Sequence, residues 1–148
     1  MENTSQTKRT IMAVLAVVVG IFMVAVAPFL IQISIEKVVA ALIKISIEKP
    51  AYSSGILIFS ILFPIYRGLI FMGGITLILI SRSIYKGKEW TFPVGLLASA
   101  FPSAGGMFMM MPYVSFIDGF PIPAGIAMVG LLFFWSFILL RNVDKWLK

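Results

Sequence analysis

The chain has 148 residues, 60% hydrophobic and 12% charged, with a mean hydropathy of +1.04, whereas soluble domains hold roughly 45–50% apolar and about 25% charged residues. With no cysteine and no histidine, it lacks disulfides, thiolate nucleophiles, iron–sulfur or cysteine–zinc sites and imidazole ligation, so no metal and no cofactor is expected. Its net charge of +6 gathers at the ends of apolar stretches and forms no stripe, which points to anionic lipid on the cytoplasmic side and not to nucleic acid.

Four stretches, residues 11–31, 55–80, 92–111 and 122–140, are predicted to be membrane spans, each close to or above the ~20 residues that cross about 30 Å of hydrocarbon. Helix is the form that satisfies backbone amides within a segment in lipid. Lys8 and Arg9 precede the first span, Arg82, Lys86 and Lys88 join the second to the third, and Arg141, Lys145 and Lys148 follow the fourth. The basic residues therefore predict both termini in the cytoplasm. A second reading of the N-terminus is a cleaved secretory signal ending at Ala25-Val26-Ala27, although Pro28 would obstruct the cut.

Between the first two spans, Ile31-Gln32-Ile33-Ser34-Ile35-Glu36-Lys37 is echoed by Ile43-Lys44-Ile45-Ser46-Ile47-Glu48-Lys49. The alternation within each copy is a strand signal, so a hairpin remains open. At 100° per residue, however, Glu36, Lys37, Ala40, Lys44 and Glu48 share one arc, and Ile35, Val38, Val39, Leu42 and Ile45 the opposite one. That pattern predicts an amphipathic helix over 33–49, either in the outer interface or extending the first span and packing on the bundle, with Pro50 ending it.

In the second span, Arg67 is an ionisable residue inside an apolar run, which costs at least ~2.5–3.5 kcal/mol even on insertion scales. Snorkelling along its stem towards the outer edge is one compensation. The other is a binding role: an inward-facing cation for an anionic headgroup or substrate, or a partner for Asp118, Glu36 or Glu48.

Pro93, Pro102, Pro112 and the run Ser103-Ala104-Gly105-Gly106 make the third span the least regular. A break there would expose backbone groups to a solute, with Ser103, Gly105, Gly106, Arg67 and Asp118 as candidate substrate- or lipid-binding residues. The competing expectation is close helix packing, since Gly95-Ser99-Ser103 and Ala98-Pro102-Gly106 repeat every four residues and Gly73-Gly74 lies in the second span. Met107, Met109, Met110 and Met111 carry sulfur suited to Cu(I), but without Cys or His they read as adaptable apolar filler.

The chain is thus expected to be a single all-α integral membrane domain, residues 1–148, in the cytoplasmic membrane. It should form a four-transmembrane-helix bundle with helices two and three packed through Gly73, Gly74, Gly95, Ala98 and Ser99. The six carboxylates fall outside the apolar cores, and inner-loop Glu89 and outer-loop Asp118 cannot work as a pair across a bilayer, so no enzyme activity is expected. No acid in the first span means no proton-coupled export through a first-span carboxylate. The expected function is a packing or accessory subunit that associates with itself or with other membrane proteins. The alternative is a small oligomeric transporter or channel for an anionic or neutral solute, using Arg67 and the broken third helix.

Overall fold

A computed structural model describes residues 2–115 and 122–146, and every regular element in them is helical. The elements are α1 (Glu2–Ile21), a π-helical turn (Phe22–Val26), α2 (Ala27–Glu48), a 3-10 turn (Pro50–Tyr52), α3 (Ser53–Tyr85), α4 (Thr91–Ser115) and α5 (Ile122–Trp146). Among the described residues, four helices are long and apolar enough to cross a membrane: Thr4–Glu48, Ser54–Tyr85, Thr91–Met110 and Ile122–Leu139. The Asp118 loop lies outside the described residues.

The first of these matches the second of the two expectations for 33–49, a helical extension of the first span packed on the bundle, and replaces a separate interfacial helix. Residues 4–48 form one continuous helix of 45 residues, about 67 Å long at 1.5 Å per residue. The physical reason lies at Pro28, which has no amide hydrogen and whose ring would collide with the Val24 carbonyl in α register. The backbone widens by one residue just before it, so that the Ala27 amide donates to the Phe22 carbonyl. This local π turn absorbs the proline without ending the helix. The alternating repeat is accordingly helical, with no strand among the described residues. It buries Ile31, Ser34, Val38 and Leu42 at helical spacing and leaves Glu36, Lys37, Lys44 and Glu48 exposed.

Extended backbone at Lys49 (φ −136°, ψ 91°) ends α2, as the residue before Pro50 requires. At the other end of α3, which pairs with the 4–48 helix as a helical hairpin, Gly87 has φ +70°. Its amide donates to the Ile84 carbonyl and the Lys88 amide to the Ser83 carbonyl, a paired closure that satisfies the last carbonyls of α3 and favours glycine. Arg9 of α1 lies over this turn, its guanidinium carbon 2.6 Å from where a Gly87 Cβ would stand. The Gln6 amide also donates to the Tyr85 hydroxyl at 3.5 Å, so the start of α1 is tied to the end of α3.

Close backbone approach, made possible by glycine, sets the packing. A Cβ on Gly20 would stand 2.8 Å from the Gly74 carbonyl, and a Cβ on Gly74 would stand 2.8 Å from the Gly20 carbonyl. The reciprocal geometry joins α1 to α3 through Cα–H···O contacts. One residue earlier, Gly73 faces the Ala98 carbonyl of α4 at 3.1 Å by the same measure. Ala98 is the residue whose α-helical donor is missing because Pro102 has no N–H, so the freed carbonyl meets a Cα hydrogen.

The α4–α5 seam is the richest in small residues. Gly95 lies against the Phe137 ring, Gly106 against Ala127 and Pro123, and Gly130 against Pro102 and Ser103. Packing of the second and third spans through small residues therefore rests on Gly73 and Ala98. Gly95 and Gly106 serve the fourth span and Gly74 the first. Aromatic rings fill the ends, with Phe59 5.6 Å from Phe108 and Phe92 5.3 Å from Phe137 between centroids.

Ser34, fully buried on α2, has a hydroxyl with no hydrogen-bond partner. Removing an unsatisfied buried hydroxyl relieves its desolvation cost. Ser34→Ala is expected to leave the unfolding midpoint unchanged or raise it, by up to about 1 kcal/mol of stability, as read by thermal unfolding in detergent.

Candidate functional site

The charged group embedded in the apolar length of α3 is Arg67, and the structure pairs it with a residue on the neighbouring helix that composition alone did not single out. Its Nη1 donates to Gln32 Oε1 of α2 at 2.7 Å, and Gln32 Nε2 donates to Glu36 Oε1 at 3.3 Å, one turn along the same helix. A guanidinium has only donors and a carboxylate only acceptors, so the intervening amide is oriented by both ends. The cation therefore reaches Glu36 through one amide and not by direct contact. Arg67, Gln32 and Glu36 are all exposed on the outside of the bundle, so the cation faces outward and not into an internal cavity. Glu48 lies a further three turns along α2, and Asp118 lies outside the described residues.

The signal for Gln32 was present in the repeat. It is the position where the two copies differ, glutamine in one and Lys44 in the other, and it stands four residues before Glu36, the spacing at which helical side chains meet. Removing Arg67 (R67L) or Gln32 (Q32L) should each cost little. A double-mutant cycle should return about 0.6 kcal/mol of coupling, the average for interhelical hydrogen bonds in membrane proteins. Additive losses would show that the contact is not formed in the folded protein.

Of the two expectations for the run Ser103 to Gly106, a break and close packing, the break is absent: α4 is continuous from Thr91 to Ser115. Neighbouring groups pack against the run. Tyr66 of α3 donates its hydroxyl to the Pro102 carbonyl at 3.1 Å, and its ring covers Gly105 so closely that a Cβ there would overlap the ring edge. Ser103 is buried, donates its hydroxyl to the Ser99 carbonyl at 2.9 Å, and packs against Gly130. Ser99 is also buried and donates to the Leu96 carbonyl at 2.9 Å. Both hydroxyls are therefore spent within their own helix, leaving smooth faces for packing.

No family model, curated protein or solved structure matches this chain. Chemical capacity has to be read from the residues alone. Ser103, Gly105 and Gly106 are each in contact with protein groups, and a solute beside the two glycines would have to displace Tyr66, Ala127 and Pro123. Arg67 stands apart from them on the outer face, joined to Gln32 and Glu36. The methionine cluster is divided as well, since Met109 is fully buried and Met107 is exposed. What the arrangement offers is an exposed hydrogen-bonded chain of one cation, one amide and one carboxylate beside Gly68, around which nothing lies within 4 Å of a would-be Cβ.

Proposed function

We propose that this chain is a non-enzymatic, multi-pass subunit of the cytoplasmic membrane, with both termini cytoplasmic, that associates with itself or with larger membrane proteins through the outer face of α3. The topology rests on the Lys/Arg placement and on large apolar side chains exposed along α1, α3 and α5, among them Val18, Leu57, Leu79, Leu132 and Leu139. Water would penalise such a surface, and lipid does not. In this orientation the exposed charges of the 33–49 segment belong to the outer interface.

The observation that carries the docking role is a contrast between glycines. Gly20, Gly73, Gly74, Gly95, Gly106 and Gly130 all meet neighbouring helices, while Gly55, Gly68 and Gly125 face open space, and of these three Gly68 is the one that adjoins the Arg67–Gln32–Glu36 chain. Ser60 and Pro64, two turns and one turn before it, are exposed as well. Lipid chains and apolar side chains are equally greasy, so helices associate in membranes through close backbone approach and polar contacts. The face around Gly68 supplies the first, and the Arg67–Gln32–Glu36 chain beside it the second.

The chain contains no cysteine, so Gly68→Cys introduces a single thiol. Coupling it to a benzophenone maleimide in native membranes and irradiating should give a discrete heavier adduct, either a dimer or a complex with one other chain. The same probe on Leu132→Cys of α5 should give lipid adducts only. Equal, adduct-free behaviour at the two positions would overturn the docking face.

A further inference from the structure

Beside the tie between α1 and α3, a groove of about 380 Å³ opens on the outside of the bundle, lined by Thr10, Val14, Val17, Val18, Arg82 and Tyr85. Its walls are greasier than its residue types suggest. Thr10 donates its hydroxyl to the Gln6 carbonyl at 2.9 Å, and Ser81 at the groove's edge donates to the Ile78 carbonyl at 2.7 Å. Methyl and methylene groups are therefore left facing the opening. One end is charged: Arg82 lines it, Lys86 and Lys88 follow in the next turns, and Arg9 is brought there by its packing on Gly87. Glu89 is the single acid in residues 82–90.

We propose that this groove binds one anionic phospholipid, an acyl chain lying along Val14, Val17 and Val18 and its phosphate resting at Arg82 with Arg9 and Lys86 nearby. The proposal rests on the membrane topology given above, which puts this basic end at the cytoplasmic leaflet, where anionic lipids concentrate. Charge complementarity selects the occupant. An uncharged apolar ligand would make no use of the cations, and a free phosphate would make none of the apolar trough. Arginine presents a planar fork of donors suited to phosphate oxygens, and Tyr85 stands at the level where an amphipathic ring favours the headgroup region.

The test uses the full chain purified in mild detergent, with retention of phosphatidylglycerol, phosphatidylcholine or glycerol phosphate read by native mass spectrometry. Phosphatidylglycerol is expected to be held about tenfold more tightly than phosphatidylcholine, and glycerol phosphate not at all. Arg82→Gln should lower phosphatidylglycerol affinity about fivefold, the effect of one cation near an anionic headgroup. Val14→Trp, which fills the trough at an exposed position, should reduce retention of the acyl chain, while Lys44→Gln at the other end should change nothing. If Val14→Trp does not fold, Arg82→Gln alone decides, because its exposed charge is not part of the core. Equal retention of the two lipids, indifference to Arg82→Gln, or binding of glycerol phosphate would each overturn the site. Flotation with vesicles separates the two levels. A chain that floats but shows no preference for the anionic lipid overturns the groove alone, and a chain that does not float overturns the membrane topology together with it.

Discussion

Gly74→Ala should destabilise the bundle, while Gly68→Ala on the same helix should stabilise it. Alanine is the better helix former by about 0.5–1 kcal/mol, and at Gly68 nothing within 4 Å opposes the new methyl, so the propensity term wins. At Gly74 the methyl would stand 2.8 Å from the Gly20 carbonyl oxygen, 2.8 Å from Met23 Cβ and 2.9 Å from Val24 Cγ2. Two of these atoms belong to or adjoin the backbone, so no rotamer change relieves the clash, and α1 must move away from α3. Overpacking of this kind costs about 1–3 kcal/mol, which exceeds the propensity gain. Leucine at position 74 should prevent assembly of the hairpin altogether. Reversible unfolding in mixed micelles measures both signs. Equal effects at the two positions would mean that the Gly20–Gly74 approach is not present in the folded protein.

The adjacent glycines of α4 should also separate, and their separation bears on what the Ser103–Gly106 run is for. Gly106→Ala places a methyl 2.9 Å from both the Ala127 amide nitrogen and the Pro123 carbonyl oxygen. The obstruction is backbone of α5, so the seam opens at a cost of about 1–3 kcal/mol. Gly105→Ala instead meets the far edge of the Tyr66 ring, which can swing aside at the expense of its hydrogen bond to the Pro102 carbonyl. Its cost should be nearer the ~1 kcal/mol of one hydrogen bond. In a Tyr66→Leu background that cost should largely vanish, while the cost of Gly106→Ala should persist. Thermal unfolding of the two single variants, of Tyr66→Leu, and of the two glycine changes in that background gives the answer. If both glycines could be changed without loss of stability, the run would not be a packing element, and a solute-binding role for its backbone would regain ground.

The number and approximate position of the apolar helices could be read from sequence because they depend on the length of each apolar run and on the need of backbone amides for partners inside their own segment. Helix ends were legible where single residues dictate them, as at Pro50 after Lys49. The small-residue registers of the third span were also visible. Their partners were not: Gly74 meets Gly20, which periodicity never singled out, and Gly106 meets the fourth span and not the second. When nearly every residue of a helix is apolar, hydrophobic periodicity carries little information about which face meets protein and which meets lipid.

Arg67 shows the same division. Its cost in an apolar run was evident from residue type, but the compensating group, Gln32, lies 35 positions away, and only the pairing of α2 with α3 brings the two together. The continuity of residues 4–48 was one of two readings open in the sequence, and tertiary structure chose between them, because a proline ordinarily interrupts an α helix and the one-residue widening that accommodates Pro28 leaves no compositional trace. Sequence by itself therefore determined how much greasy helix the chain makes and the placement of its charges. Which glycine touches which backbone, and which amide meets the arginine, was decided by tertiary structure, because close approach depends on the relative placement of two helices and not on the composition of either.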